Sequence, residues 1–510
     1  MRLYLVIGAL LVGIAAALPA PLTFVPGLMS YGGEVAPLHV DESVEAIPGS
    51  YIVVLKQGTP QQLFQHHHTL IQGVQASVSV QGMNHGVRHI YHDDHMLGYA
   101  GSFSPDVLAY IRALPEVAFV EADSVVRAPV EPDVRAYNMS ASDSSNAFPW
   151  PDWSHITENG SPWGLARISH RKSLTLGTFN KYVYHRNAGE GVVAYIIDTG
   201  VNVDHEDFGG RAVWGKTIPE GDEDKDGHGH GTHCAGTIGS TTYGVAKRAE
   251  LVAVKVLRSN GSGSMSDVTA GVLWAVADAR NRTKALADSP YASRRHRGFV
   301  ANMSLGGTRS PTLEMAVNGA VASGLNMAVA AGNEDQDACN VSPANAERPV
   351  TVGASTIRDE RAFFSNWGKC VDIFAPGLNV VSTWNSGPRS ITALSGTSMA
   401  SPHIVGLMAY LLSIYNTDEF RARTAPTNGS HGSLLSKLRA LLLIVENQLP
   451  FTTTTLNPPI TLSTKRAPIA NTVDPRELKN ALVRMSTRGT LAGLDDETHN
   501  RLAFNNATHL

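Results

Sequence analysis

Between residues 191 and 355 the chain repeats one pattern. Short apolar runs alternate with helical stretches or polar loops. The runs are GVVAYIID (191–198), AELVAVKVL (249–257), GFVANMSLGG (298–307), LNMAVAAGN (325–333) and PVTVGAS (349–355). A strand without a polar face must be covered on both sides, as in a parallel sheet. MSDVTAGVLWAVADAR (265–280) and PTLEMAVNGAVASG (311–324) supply helical connections of the length that parallel strands need. The pattern predicts an α/β fold with a doubly wound, mostly parallel sheet. Such sheets place their sites beyond the carboxyl ends of the strands, where Asp198, Ser304 and Asn333 fall.

At 510 residues the chain exceeds one ordinary core, so further units are expected. Residues 46–128 read as a small α+β domain. SYIVVLK and VAFVEADSVV are strand-like, and SPDVLAYIRAL is a helix with Ser104 as N-cap. Residues 129–160 are polar and irregular and read as a linker exposed to proteolysis. Residues 161–507 form the main domain, interrupted by a Thr/Pro-containing insertion at 417–472. Order resumes at DPRELKNALVRM, where Asp474, Pro475 and Glu477 supply an N-cap, a first-turn proline and a capping-box partner.

The N-terminus, MRLYLVIGALLVGIAAALPAP, has one basic residue, an apolar run and small residues before a proline. It reads as a signal peptide over residues 1–17. No later stretch reads as long and apolar enough to span a bilayer, so no membrane span is expected after signal removal. A net charge of −4 gives no basic footprint for nucleic acid. Sequons at Asn138, Asn159, Asn260, Asn281, Asn340, Asn428 and Asn506 suit a luminal glycoprotein, while Asn302 lies in an apolar strand. Three cysteines permit one disulfide and leave one thiol.

DGHGHGTHCAGTIG (226–239) places His228, His230, His233 and Cys234 within seven positions. They read either as metal ligands or as the surroundings of one catalytic base. No H-E-x-x-H pattern is present. With a helix starting near His230, Cys234 lies one turn on, on the same face. His233 then reads as structural and His228 as a solvated bystander. GTSMASPHIVGLMAYLL begins at Gly396 and puts Ser398 at a helix start, with Pro402 tolerated in about the first turn. A serine hydroxyl there lies near free N–H groups that favour a developing oxyanion. Asp198 ends a buried strand and needs a donor partner. Imidazole is suited to take a serine's proton near neutral pH.

DTGVN, DGHGHGTHCAGTIG, ANMSLGG, AAGN and SGTSMASPH together resemble the signature of subtilisin-like serine proteases of the proteinase K branch. PWGLARISHR, AVKVLRSNGSGSMSDV, AAGNEDQDAC and FSNWGKCVDIFAPGLN resemble the fungal vacuolar proteases of the cerevisin type. Residues 46–128 resemble the inhibitory propeptide of that family. The resemblance implies a serine endopeptidase made as an autoinhibited zymogen. It implies Ser398 as nucleophile, His230 as general base and acid, and Asp198 as the group that orients the imidazole. It implies Asn333 as an oxyanion donor together with the Ser398 N–H. Peptide substrate would add as a strand between Gly261 and Ser262 on one side and Ser304, Leu305 and Gly306 on the other. Ala330, Ala331 and Gly332 would line a roomy pocket for apolar or aromatic residues, with Met265 bordering a more distant one. Cys339 and Cys370 would form the disulfide.

No cofactor is implied for the chemistry. A structural calcium is implied at Asp372, with backbone oxygens near Glu347 and Pro349. The acidic run Asp222, Glu223, Asp224 and Asp226 reads as a solvated loop ahead of a second calcium site. The implied partners are protein and peptide substrates and the chain's own propeptide. The implied destination is the vacuole, with secretion as the alternative. Histidines 66, 67, 68, 85, 89, 92 and 95 cluster in the propeptide. They read as surface polarity first, or as an acid trigger in which protonation repels the cluster.

Overall fold

The computed structural model describes residues 35–41, 44–78, 86–128, 154–414, 469–471 and 473–508. The signal-peptide segment, most of the linker and nearly all of the insertion lie outside them. The central sheet runs, edge to edge, through Thr487–Arg488, Arg501–Leu502, Ile373–Pro376, Val350–Ser355, Asn326–Ala330, Gly298–Met303, Val192–Asp198, Glu250–Lys255 and Ala212–Thr217. Every neighbouring pair is parallel except the first. The fold is therefore the expected α/β, doubly wound architecture.

Strand order reverses at Val192–Asp198. The chain next forms the edge strand Ala212–Thr217, then Glu250–Lys255 between it and Val192–Asp198, and Gly298–Met303 starts the other side. This reversal opens a crevice at the strand's carboxyl end, and Asp198 occupies that end. One face of the sheet packs on the helices His230–Gly239 and Thr397–Ile414 in a core that includes Ala194, Ile196, Cys234, Met399 and Ile404. The other packs on Met265–Ala287 and Pro311–Ala322.

Helix Thr397–Ile414 corrects one expectation. By length and composition it is apolar enough to cross a membrane, but 94% of it is buried inside the fold. It is apolar all round because it runs through the core.

The N-terminal unit has its own sheet, in the order Leu38–His39, Val117–Arg127, Ala46–Leu55, Leu97–Ser102, Gly86–His92, with helices Gln61–Val78 and Pro105–Ala113. Its outer face has a separate core around Phe64, Tyr99, Phe103 and Ile111. Its inner face, through Ile52, Tyr91 and Val126, joins the core over the Met265 and Pro311 helices. Two carboxylates on one face of its last strand meet the starts of those helices. Glu121 accepts from Thr312 N (3.1 Å), Thr312 Oγ1 (2.6 Å) and the Ser310 hydroxyl. Asp123 accepts from Ser266 N (3.0 Å) and Ser266 Oγ (2.6 Å). Anions at helix N-termini are favoured by the free N–H groups and the dipole.

Two boundaries differ from expectation. His155–Asn159, read as the end of a linker, is a strand paired antiparallel with Lys181–His185. Ile156 is the one apolar residue in this short polar stretch, and the partner strand supplies the ladder. At the other end, Ile469 and Asn471, read as insertion, belong to the main domain. Ile469 is buried in the core, and Asn471 Oδ1 accepts from Phe299 N at 2.8 Å.

The propeptide histidines do not form one repelling cluster. His85 lies outside the described residues. His66 is exposed, whereas His67 is buried between Glu116 (2.6 Å) and the Tyr99 hydroxyl (2.9 Å). His89 reaches across the interface to Asp267 at 2.6 Å. That contact ties the N-terminal unit to the helix Met265–Ala287. His67 is different. Burial holds its pKa below the ordinary 6.5, against the pull of Glu116. Its folded-state pKa is depressed, so its contribution to propeptide stability is present above about pH 6.5 and falls as pH drops below that value. Hydrogen-exchange protection across residues 46–128, corrected for the intrinsic pH dependence of amide exchange, should therefore fall between pH 7 and pH 5. His67→Gln should flatten the change, and an unaltered pH dependence in that variant would refute this account.

Candidate active site

Asp198 and His230 are both fully buried, and their pairing organises the crevice. Asp198 Oδ1 accepts from His230 Nδ1 at 2.7 Å and from Thr199 N at 2.7 Å. A carboxylate accepts only, so the imidazole proton belongs on Nδ1 and Nε2 carries the lone pair. Among the described residues, His230 Nε2 is buried without a hydrogen-bond partner. The close approach of helix and strand requires Gly231. A Cβ there would stand 2.1 Å from Gly200 O and 3.1 Å from Asp198 Cβ.

The His230 helix has Gly229 at its N-cap, with no side chain to offer. Asp226 does that work from three residues upstream. It accepts from His228 N (3.1 Å), Gly229 N (2.8 Å), Thr232 N (3.0 Å), Thr232 Oγ1 (2.6 Å) and Thr199 Oγ1 (2.9 Å). The acidic run is thus not wholly a solvated loop. Asp226 is buried, and only its more exposed neighbours Glu223 and Asp224 fit that description. Lys255, beside Asp198 in the sheet, donates to Thr199 O at 3.2 Å and Lys225 O at 3.0 Å. Burial lowers its pKa.

Ser398 is the second residue of its helix. Its Oγ donates to Ser304 O at 3.1 Å rather than to His230. Pro402 lies in the second helical turn, further in than expected. Lacking an N–H, it frees the Ser398 carbonyl that residue 402 would otherwise bond. Ser304 Oγ (2.8 Å) and Cys234 Sγ (3.4 Å) donate to that carbonyl instead. Asn302 then locks the arrangement, donating to Ser304 Oγ (2.8 Å) and accepting from Ser401 Oγ (2.9 Å).

The four side chains of the histidine-rich stretch do not converge. His233 is buried on the far side, against Val380 O at 2.9 Å, with its pKa pulled down to about 3 by burial. His228 is half-buried rather than solvated. Its ring lies 6.3 Å from that of His230 and against Gly261. Among the described residues, Asp198, His230 and Cys234 do offer ligand atoms within 4.8 Å of one another. Burial holds the Cys234 proton on far above the ordinary thiol range, and Asp198 already takes His230 Nδ1. Those states suit a hydrogen-bonded network better than metal ligation.

Asn333 Oδ1 accepts from Thr397 N and Thr397 Oγ1, both at 2.8 Å, which commits the oxygen and leaves the Nδ2 donors. Ala331 is fully buried, Ala330 is 6% exposed, and Gly332 is half-buried with a φ of +102°. Met265 is buried in the core cluster that includes propeptide Val126, and Leu305 is likewise buried. Ser304 is wholly buried, with its hydroxyl on Ser398 O and its carbonyl taking the Ser398 hydroxyl.

The propeptide's last strand lies in this crevice. Val125, Val126 and Arg127 pair antiparallel with Ser264, Gly263 and Ser262. Arg127 also bridges Gly306, and Ala128 N donates to Gly261 O at 2.8 Å. Cys339 and Cys370 are joined in a disulfide, and Cys234 is the free thiol. Asp372 meets a side chain that sequence reading missed. Lys479 Nζ lies 2.7 Å from Asp372 Oδ2.

Comparison with known proteins agrees with this architecture. The profile of the subtilase family matches residues 189–444, and that of peptidase inhibitor I9 matches residues 50–129. Subtilisin-like serine protease Pen c 2 of Penicillium citrinum is 44% identical over 92% of this chain and 90% of its own length. Alkaline protease 2 of Aspergillus fumigatus is 50% identical over 74% of each chain. Subtilisin-like protease 8 of Trichophyton verrucosum is 49% identical over 74% of this chain and 75% of its own. The chain belongs to the subtilase family. It is a subtilisin-like serine peptidase with an N-terminal I9 inhibitor domain, in keeping with the proteinase K branch.

Asp226 gives a prediction sequence reading did not reach. Asp226→Ala removes the anchor of the His230 helix start. A lost cap costs about 0.5–2 kcal/mol. Thermal unfolding should show that loss, and an unchanged Tm would show that Asp226 does not anchor the helix start.

Proposed function

We propose that Asp198, His230 and Ser398 form the catalytic triad of an endopeptidase made as a zymogen. The observation that carries the reading is the propeptide strand held between Ser262–Ser264 and Gly306. A polypeptide backbone already lies in the slot that leads to Ser398, in the extended form a substrate would take.

In the reaction, Ser398 Oγ turns from Ser304 O toward His230 and attacks the scissile carbonyl carbon. Its proton passes to His230 Nε2, and Asp198 holds the Nδ1–H and stabilises the imidazolium. The carbonyl oxygen becomes an oxyanion beside Asn333 Nδ2 and Ser398 N. These two donors flank one space, since a Cβ on Gly396 would stand 3.4 Å from the first and 3.6 Å from the second. The C–N bond then breaks, and the leaving amine takes the proton from His230. Water, deprotonated by His230, attacks the acyl ester and frees Ser398.

Ala330, Ala331 and Gly332 offer small side chains for a roomy pocket, which favours apolar or aromatic residues. Gly261, Ser262, Ser304, Leu305 and Gly306 contribute backbone to the slot, and Met265 the floor of a further pocket. The proposed chain comprises a leader at 1–17, the inhibitor domain at 46–128 and the peptidase from 161 onward. Its leader would direct it into the secretory pathway, with the vacuole as destination and the medium as the alternative.

A fluorophosphonate probe should label Ser398 in the matured enzyme, and neither Ser398→Ala nor His230→Ala should hydrolyse peptide. Asn333→Ala should lower kcat by about 10²–10³-fold, the magnitude known for loss of such a donor in subtilisin. Labelling at another residue, or full activity in His230→Ala, would remove the triad assignment.

A further inference from the structure

The oxygens expected to hold calcium already hold a cation supplied by the chain. Lys479 Nζ donates to Pro349 O at 2.7 Å and Glu347 O at 3.0 Å, and it forms an ion pair with Asp372 Oδ2 at 2.7 Å. One ammonium thus meets all three oxygens. Asp372 Oδ2 also accepts from Thr351 N at 2.9 Å. Calcium requires six to eight oxygens at about 2.3–2.6 Å. Here a positive charge sits on the carboxylate and both carbonyls that would begin such a shell. A second cation lies close by, since Arg501 Nη1 donates to Asp372 O at 3.3 Å. The residues present do not fit a calcium ion at Asp372.

Lys479 is one turn into helix Pro475–Met485, the first helix after the insertion. Leu478 and Leu482 of that helix pack in the core with Ile404 and Met408 of the Ser398 helix. The ammonium therefore ties the returning chain to the loop at 347–349 and to the start of the Val350–Ser355 strand. A calcium ion would gather the loop and Asp372, but it would not reach the helix.

We propose that Lys479 is a built-in replacement for a structural cation at Asp372, and that the fold does not depend on calcium there. The proposal can be tested in the full chain carrying Ser398→Ala, which suppresses autolysis. Calcium bound per chain is counted by titration calorimetry, and Tm is measured in calcium and in chelator. Wild-type Lys479–Asp372 and Asp372→Asn should bind the same number of calcium ions. Lys479→Met should lower Tm in chelator by about 2–4 °C, the shift expected per kcal/mol in a domain of 150–250 residues. Added calcium should restore part of that loss, because the variant leaves the three oxygens open. The proposal is overturned if Asp372→Asn binds one ion fewer than its parent, or if Lys479→Met has the parent's Tm in chelator. Should Lys479→Met not accumulate, the ion count on the parent and Asp372→Asn decides alone.

Discussion

A buried carboxylate at the end of a central strand sets the structure around it. Asp198 has no access to water, so its charge must be met by donors that the fold supplies. His230 Nδ1 and Thr199 N meet it at 2.7 Å each. Bringing the imidazole there requires a helix to start beside the strand end, which requires glycine at 231. That helix start then has free N–H groups, and Asp226 takes them. The negative charge of Asp226 is itself buried, and it is satisfied by Thr199, Thr232 and three backbone amides. One buried charge has thus recruited a second, each fully hydrogen-bonded at its inner oxygen. The outer oxygen Oδ2 of Asp198 stays unpartnered among the described residues, and a positive imidazolium would stabilise it.

The serine side follows from a missing donor. Pro402 takes one rung from the helical ladder, directly over Ser398. The freed carbonyl is buried, and an orphaned acceptor there would cost about 1–3 kcal/mol. Ser304 and Cys234 satisfy it from the neighbouring strand end and the neighbouring helix. The segments that carry Ser304, His230 and Ser398 are thereby stitched at one carbonyl oxygen. This gives Cys234 a definite task. Its thiol is a donor to the Ser398 backbone, and burial keeps it protonated.

Much of this was legible in the sequence, for physical reasons. Runs such as GVVAYIID lack a polar face and can only be covered strands, so the doubly wound sheet follows from them. Asp198, Ser304 and Asn333 lie at or just past the ends of strands, and such ends can be read from where apolar runs stop. What was not legible depends on partners distant in the chain. Asp226 looked like one more charge in an acidic loop, since nothing local says which of four carboxylates turns inward. His155–Asn159 has a strand's character only beside Lys181–His185. Lys479 reads as a surface residue of an amphipathic helix, and Glu347 and Pro349 offer only backbone oxygens, which no side-chain pattern marks. Pro402 was legible as a helix anomaly, but its consequence needed the positions of Ser304 and Cys234.

The inhibitor domain is bound so that it can leave. Glu121 and Asp123 cap the Pro311 and Met265 helices, yet each helix also has its own cap. Ser310 Oγ accepts from Leu313 N, and Ser264 Oγ accepts from Asp267 N, both at 3.1 Å. When the domain departs, the helix starts keep their internal partners and meet water for the rest. The carboxylates gain little from being buried, because desolvation raises the pKa of both despite their hydrogen bonds. The domain is held as well by the apolar contacts of Ile52, Tyr91 and Val126, by the strand in the slot and by the ion pairs of Arg280 with Asp93 and His89 with Asp267. That strand pairs with Ser262–Ser264 and bridges Gly306, the backbone proposed above to receive a substrate.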